Sequence, residues 1–292
     1  IELVLAQAAR FEERCQEARE LDLLPGRVLA TLFYEPSTRT RLSFETAMHR
    51  LGGDVISVAE GARSSSVAKG ETLADATRVV SSYADVIVQR HPAVGSAQEA
   101  ASGATVPVIN GGDGVGEHPT QALLDLYTIE RERGTLNGLR IGLVGDLKHG
   151  RTVHSLSRAL SHWKPVLTFV SPPALAMPAE ISEELRKQEV TVNETDDLAA
   201  AMRQCDVLYV TRIQKERFAD PAEYDRLKGS YILDRALVER MNPELTIMHP
   251  LPRVNEIAAN VDSLPGAAYF RQAANGVWTR MAILALVLGE QL

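Results

Sequence analysis

Short apolar runs of strand character alternate with longer amphipathic runs of helical spacing along most of this chain, and that alternation constrains the fold more than any other feature. Parallel strands need long crossover connections, usually helices, and strands buried on both faces read as near-continuous apolar stretches. Both signatures occur here. "RVLATLFY" at 27–34 precedes "RLSFETAMHRLGG", where Phe44, Ala47, Met48 and Leu51 fall on one helical face. "DVISV" (54–58), "DVIVQR" (85–90) and "VPVIN" (106–110) read as strands, with the helix-like "ETLADATRVVSSY" between the first two. "PTQALLDLYTIERERG" reads as a helix with Pro119 in its first turn and Gly134 at its stop. A second alternation opens at "RIGLVGD" (140–146) and runs through the strand-like "VLTFVS", "EVTVNE", "DVLYVTR", "YILD" and "LTIMHP". The expected fold class is α/β, with two doubly wound parallel-sheet domains.

Length agrees with two domains, because 292 residues exceed what a single core of ordinary size holds. The seam is placed near Gly134–Leu139, giving domains of 1–133 and 134–272. A formal charge of -7 and a pI near 5.6 argue against a nucleic-acid surface, which needs clustered Lys and Arg. They leave room for a small anion held by a few arginines. With only Cys15 and Cys205, in unrelated contexts, a disulfide framework is excluded and a reducing cytoplasm is expected. No signal peptide or membrane span is read; "MAILALVLG" at 281–289 is too short to span and reads as a buried helix. The chain opens without Met, inside a helix-like run, which points to a trimmed form.

Ligands of open α/β sheets bind beyond the carboxyl ends of strands, so those positions are where chemistry is sought. "EPSTRTR", Glu35 to Arg41, follows the first strand. A helix N-terminus carries unpaired N–H groups and partial positive charge, and favours acidic residues. Here it carries Arg39 and Arg41 beside Ser37, Thr38 and Thr40. That is unfavourable unless an anion binds, and hydroxyls, N–H groups and guanidinium together make a phosphate cradle. The plain alternative makes Ser37 or Thr38 an ordinary cap with arginines facing water.

Other strand ends also carry polar groups. Arg90 ends the apolar "VIVQRHP", either as a ligand group or as a surface arginine whose stem packs on the strand. His118 and Gln121 bracket a helix start after the glycine-rich "NGGDGVGEHPTQ", where a histidine can donate to a developing oxyanion. In "GDLKHGRTVHS", Gly145, Gly150, Arg151 and Thr152 approximate a P-loop, but Arg stands where that motif needs Lys. Arg151 near a helix N-terminus is the simpler reading, available to a carboxylate. Arg212 and Gln214 follow a strand in "YVTRIQKER" and suit a second carboxylate. "MHPLPR" sets Leu251 between two prolines, a stiff loop able to present backbone carbonyls to an amine. His91, His118 and His249 lack the spacing of a zinc site, and no metal is expected.

In their order, "EPSTRTRLSFE", "KGETLAD", "RHP", "HPTQALLDL", "GDLKHGRTVHSL", "TRIQKER" and "HPLPRVNEI" closely resemble aspartate carbamoyltransferase catalytic chains. The resemblance runs from about residue 1 to the end, lacking only a first N-terminal segment usual in that family. It implies an active site in a cleft between the domains and at a subunit interface, with the last helix, 273–292, packing back on the first domain. It implies that Ser37, Thr38, Arg39 and Thr40 hold the phosphate of carbamoyl phosphate. Thr40, Arg90 and His118 would polarise the carbamoyl oxygen, with Gln121 and the Leu251 carbonyl on its amino group. The catalytic set would then be Arg39, Thr40, Arg90 and His118. Aspartate would be held by Arg151, Arg212 and Gln214, with Pro252 shaping the pocket. Ser65 and Lys69 would reach a neighbouring subunit's site, implying a homotrimer; Ser64 and Ser66 adjoin Ser65, which is chosen by counting back from Lys69. Glu35 would pair with Arg151 and Arg217. His149 departs from the tyrosine that many family members carry.

The implied reaction is carbamoyl transfer from carbamoyl phosphate to L-aspartate, an early step of de novo pyrimidine synthesis, without cofactor. Regulatory chains or a dihydroorotase are the larger partners such a chain takes; nucleic acid and membrane are not expected. An ornithine carbamoyltransferase shares the phosphate cradle, but is expected to place a cysteine in the late His–Pro region, where this chain has "HPLPR". A P-loop-like nucleotide-binding module and a silent scaffold are the readings from other classes.

Overall fold

Two all-parallel sheets form from the two alternating halves of the sequence. The computed structural model describes residues 1–18, 21–59, 70–214, 218 and 220–292, with backbone alone at 221 and 223. In chain order the first half gives α1 (Glu2–Glu17), β1 (Val28–Phe33), α2 (Thr38–Arg50), β2 (Asp54–Val58), α3 (Leu73–Val80), β3 (Val86–His91), α4 (Ser96–Gly103), β4 (Val108–Asp113) and α5 (Pro119–Arg133). The second gives β5 (Arg140–Val144), α6 (Arg151–Leu160), β6 (Val166–Val170), α7 (Ala179–Lys187), β7 (Thr191–Thr195), α8 (Leu198–Gln204) and β8 (Val207–Val210). It closes with α9 (Pro221–Leu227), α10 (Arg235–Met241), β9 (Thr246–Met248) and α11 (Tyr269–Val287). The chain divides into two compact units, Ile1–Tyr127 with Ala274–Leu292, and Thr128–Ala273.

The first sheet has the order β2-β1-β3-β4, and the second β7-β6-β5-β8-β9. Central strands are buried almost throughout, as strands covered on both faces must be, whereas the edge strands β2 and β7 are largely exposed. In the first sheet, β1 pairs with β2 on one side and β3 on the other, so the connections leave in opposite directions. The same reversal occurs between β5 and β8. A crevice opens at the carboxyl ends of the strands at each reversal. Register makes the ends level: Phe33 lies opposite Arg90, and Val144 opposite Val210.

Two expectations shift. α2 begins at Thr38, three residues before the apolar periodicity from Arg41, which puts Thr38–Arg41 in its first turn. "YILD" is not a strand; Leu233 makes only an isolated bridge to Ile257. Its side chain instead fills the second unit's core beside Val238 and Ile247, so burial gave the run its strand-like appearance.

Gly145 closes the second crevice. Its φ is +116°, and a Cβ there would lie 2.3 Å from the Thr211 carbonyl oxygen. We expect Gly145→Ala to lower unfolding free energy by about 1–3 kcal/mol in urea denaturation. An unchanged midpoint would refute the close approach of the two strand ends.

Candidate active site

In the first unit the reversal gathers the cationic groups expected from sequence. Ser37 caps α2, yet its side chain makes no capping hydrogen bond, and the first turn holds no acidic residue. Thr40 is buried while Thr38 and Arg39 are exposed. The turn therefore offers N–H groups and hydroxyls around a positive helix end. Arg90, opposite Phe33, donates from Nε to Glu35 Oε1 at 2.7 Å, and its Nη2 lies 2.7 Å from the same oxygen. Its Nη1 donates to the Gly111 carbonyl at 3.3 Å and to His118 Nε2 at 3.2 Å. Because a guanidinium only donates, His118 must accept there, which makes it a neutral imidazole protonated on Nδ1. Gln121, one turn along α5, donates from Nε2 to Asp125 Oδ1 at 2.9 Å. Glu35 thus pairs with Arg90 inside its own unit.

In the second unit, Arg151 is the first residue of α6, and Arg212 and Gln214 follow β8. Gln214 Nε2 donates to the His149 carbonyl at 3.3 Å, tying the segment after β8 to the loop after β5. The His149 ring rests edge-on against Phe218, and its Nδ1 lies 3.1 Å from Asp146 Oδ1. Arg212 lines a cavity with Thr211, Tyr224, Lys228, Tyr231 and Glu256. Asp146 bears on the P-loop alternative. Its fully buried carboxylate also accepts the His149 N–H, so that N–H of the loop is already taken by a side chain of the loop itself.

Leu251 and Pro252 belong to a loop held from beneath. Leu251 adopts φ +51° and donates its N–H to His249 Nδ1 at 2.8 Å. His249 Nε2 meets Glu256 Oε1 at 2.7 Å, both side chains almost fully buried. Glu256 also accepts the N–H groups of Val254 and Asn255. Burial pushes its carboxyl up, but the bonds from His249 and the backbone outweigh that and leave it below the usual carboxylate range. Both His249 nitrogens are committed, which removes it from the zinc reading, and His91 Nδ1 accepts the Ala93 N–H. Among the described residues no cluster of three or more His, Cys, Asp or Glu is placed to hold a metal, and no helix is long and apolar enough to cross a membrane.

Two family models match the chain in succession. Residues 1–131 match "Aspartate/ornithine carbamoyltransferase, carbamoyl-P binding domain", and residues 137–287 its "Asp/Orn binding domain". The chain belongs to the aspartate/ornithine carbamoyltransferase family. It is 57% identical over 289 residues to the aspartate carbamoyltransferase catalytic subunit of Thermococcus onnurineus, covering 99% of this chain and 93% of that one. The catalytic subunit of M. jannaschii aspartate transcarbamoylase aligns at a TM-score of 0.90 and 55% identity, over 96% of this chain and 91% of that one. The Trypanosoma cruzi aspartate transcarbamoylase in complex with carbamoyl phosphate and aspartate aligns at 0.91 and 42% identity, over 99% and 92%.

Within the carbamoyltransferase frame, the first unit brings together Ser37, Thr38, Arg39, Thr40, Arg90, His118 and Gln121 around one strand reversal. Arg151, Arg212, Gln214, Leu251 and Pro252 lie in the second unit, at strand ends and helix starts. Ser65, Lys69 and Arg217 lie outside the described residues. Asp125, Asp146, Glu256 and Arg280 were not anticipated as site partners. Asp125 had a signal, since it stands four residues after Gln121 on one helix.

The His249–Glu256 pair yields a test of both stability and sign. His249→Phe removes the Nε2–H that the buried Glu256 carboxylate accepts and should cost about 1–3 kcal/mol in urea denaturation at neutral pH. The wild-type contribution is present above about pH 4.3, the ordinary glutamate value, and is lost as pH falls through the lowered folded value. The gap between wild type and variant should therefore narrow toward acid. A gap that stays constant as pH falls from about 4.3 to about 3 would refute the role of the His249 hydrogen bond.

Proposed function

We infer that this chain transfers the carbamoyl group of carbamoyl phosphate to L-aspartate, giving N-carbamoyl-L-aspartate and phosphate. The observation that supports the reading most directly is the α2 N-terminus: cationic, uncapped by its own Ser37 hydroxyl, and adjoining the Arg90–His118 pair. Such a terminus has an anion's shape and charge complement. Full-length relatives named for aspartate place the acceptor on the dicarboxylate side of the family, and "HPLPR" carries no cysteine of the ornithine type.

In this reading Ser37, Thr38, Arg39 and Thr40 bind the phosphate. Thr40, Arg90 and His118 face the carbamoyl oxygen, while Gln121 and the Leu251 carbonyl accept from its amino group. Arg151, Arg212 and Gln214 hold the two carboxylates of aspartate, and Pro252 stiffens the loop behind them. The amine attacks as the free base: its nitrogen bonds to the carbamoyl carbon, and a negative oxygen develops on a tetrahedral centre. The C–O bond to phosphate then breaks, and the surplus amine proton leaves with the departing phosphate. Carbamoyl phosphate is already activated, so positioning and oxyanion stabilisation supply the rate, each donor contributing about 10²–10³. With one ring proton on Nδ1 and Nε2 turned to Arg90, His118 must rotate or exchange partners before donating from Nε2.

The assembly reading is a homotrimer in the cytoplasm, each site completed by Ser65 and Lys69 of a neighbour. Regulatory chains or a dihydroorotase are the larger partners it would accept.

Arg39 is exposed, so Arg39→Ala should leave unfolding free energy within about 0.5 kcal/mol while lowering turnover at least about 10²–10³-fold. A colorimetric carbamoyl-aspartate assay reads this, and near-normal kinetics would overturn the phosphate assignment. For the shared site, inactive Arg39→Ala and Lys69→Ala chains should regain activity when dissociated and reassembled together. No recovery, or a monomer in sedimentation, would overturn the trimer.

A further inference from the structure

Beneath the carbamoyl phosphate residues lies a buried charge that the mechanism above does not use. Arg280, on α11 and grouped with the first unit, is 3% exposed. Its Nη1 donates to the Gly276 carbonyl at 3.1 Å, and its Cζ sits 5.1 Å from the ring of Phe44 on α2. Its Nε makes no hydrogen bond among the described residues. Burial pulls the guanidinium down to about 10, with Asp125 opposing that shift and Arg90 adding to it. It therefore stays charged at neutral pH. A buried cation is strongly unfavourable without negative charge in its surroundings, and Asp125 of the same unit, fully buried, contributes to that field.

Asp125 reaches the site through the 2.9 Å bond from Gln121 Nε2. A carboxylate only accepts, so Gln121 must turn its NH2 group toward Asp125 and its Oε1 away. The free oxygen is an acceptor, which suits a carbamoyl NH2 and cannot engage a methyl group in its place.

We propose that Asp125 is a specificity-determining positioning residue: its buried carboxylate fixes the orientation of the Gln121 amide, and thereby selects a carbamoyl over an acetyl group on the bound phosphate. Asp125 uses its charge to orient one amide, and the amide reads the substrate. The proposal deepens the carbamoyl phosphate reading and rests on Gln121 holding the amino group.

The test compares two ligands that differ only in NH2 against CH3. In Asp125→Asn the side chain can donate as well as accept, so Gln121 loses its single orientation without loss of volume. With saturating aspartate, kcat/KM for carbamoyl phosphate should fall about 10–100-fold, while the competitive Ki of acetyl phosphate stays within about twofold. On a Gln121→Ala background, Asp125→Asn should cost nothing further in discrimination. Equal weakening of both ligands by Asp125→Asn, as a merely structural role requires, overturns the proposal, as does no change in either. Gln121→Ala separates the layers. If it collapses discrimination while Asp125→Asn does not, positioning by Asp125 fails and the Gln121 reading stands; if it leaves discrimination intact, both fail.

Discussion

A guanidinium placed at the end of a buried parallel strand must be compensated, and the way Arg90 is compensated organises the first unit. Its partner Glu35 comes from the loop after β1, and that loop continues directly into the first turn of α2. Charge-assisted hydrogen bonds of this kind contribute about 1.5–3 kcal/mol each. They hold the loop in one path and leave the opposite edge of Arg90 toward Gly111 and His118. One ion pair thus joins three strand ends, those of β1, β3 and β4, around a single positive field. Without Glu35 the cradle residues would still be present, but their common orientation would not.

The second unit meets the same problem with different chemistry. Its strand reversal, between β5 and β8, is held by a close glycine contact and by Asp146. Its late loop rests on Glu256, which His249 and two backbone N–H groups satisfy. The recurring device is a buried carboxylate that fixes a polar neighbour: Asp125 for Gln121, Asp146 for His149, Glu256 for His249. Each neighbour lies at or beside a residue expected to touch substrate. Carboxylates suit this task because they accept only, and so leave an amide or imidazole one orientation.

Legibility in the sequence followed the range of the interaction. Strand and helix order was readable because burial on two faces and on one stripe leave periods visible over five to fifteen residues. The phosphate cradle was readable for a related reason: basic residues at a helix N-terminus contradict the local dipole, and the contradiction lies within one turn. "YILD" misled because an apolar run reports burial, and Leu233 is buried without pairing along a ladder. The start of α2 was placed late because Thr38, Arg39 and Thr40 carry no apolar periodicity, although they are helical.

By itself the sequence determined the α/β class, two parallel sheets and the set of polar groups at strand ends, since each depends on residue type at short spacing. Its ordered motifs added the family. Only the tertiary structure decided which strands are central, which loops meet at a reversal, and which acid serves which polar group. Glu35 and Arg90 are 55 positions apart, and nothing local links them until β1 and β3 pair in register. Arg280 and Asp125 are farther apart still, and a buried charge is recognisable only once the surrounding packing has removed the water. Pairing across long sequence distance is set by the closing of the sheet and the docking of helices, and no short stretch of residues encodes it.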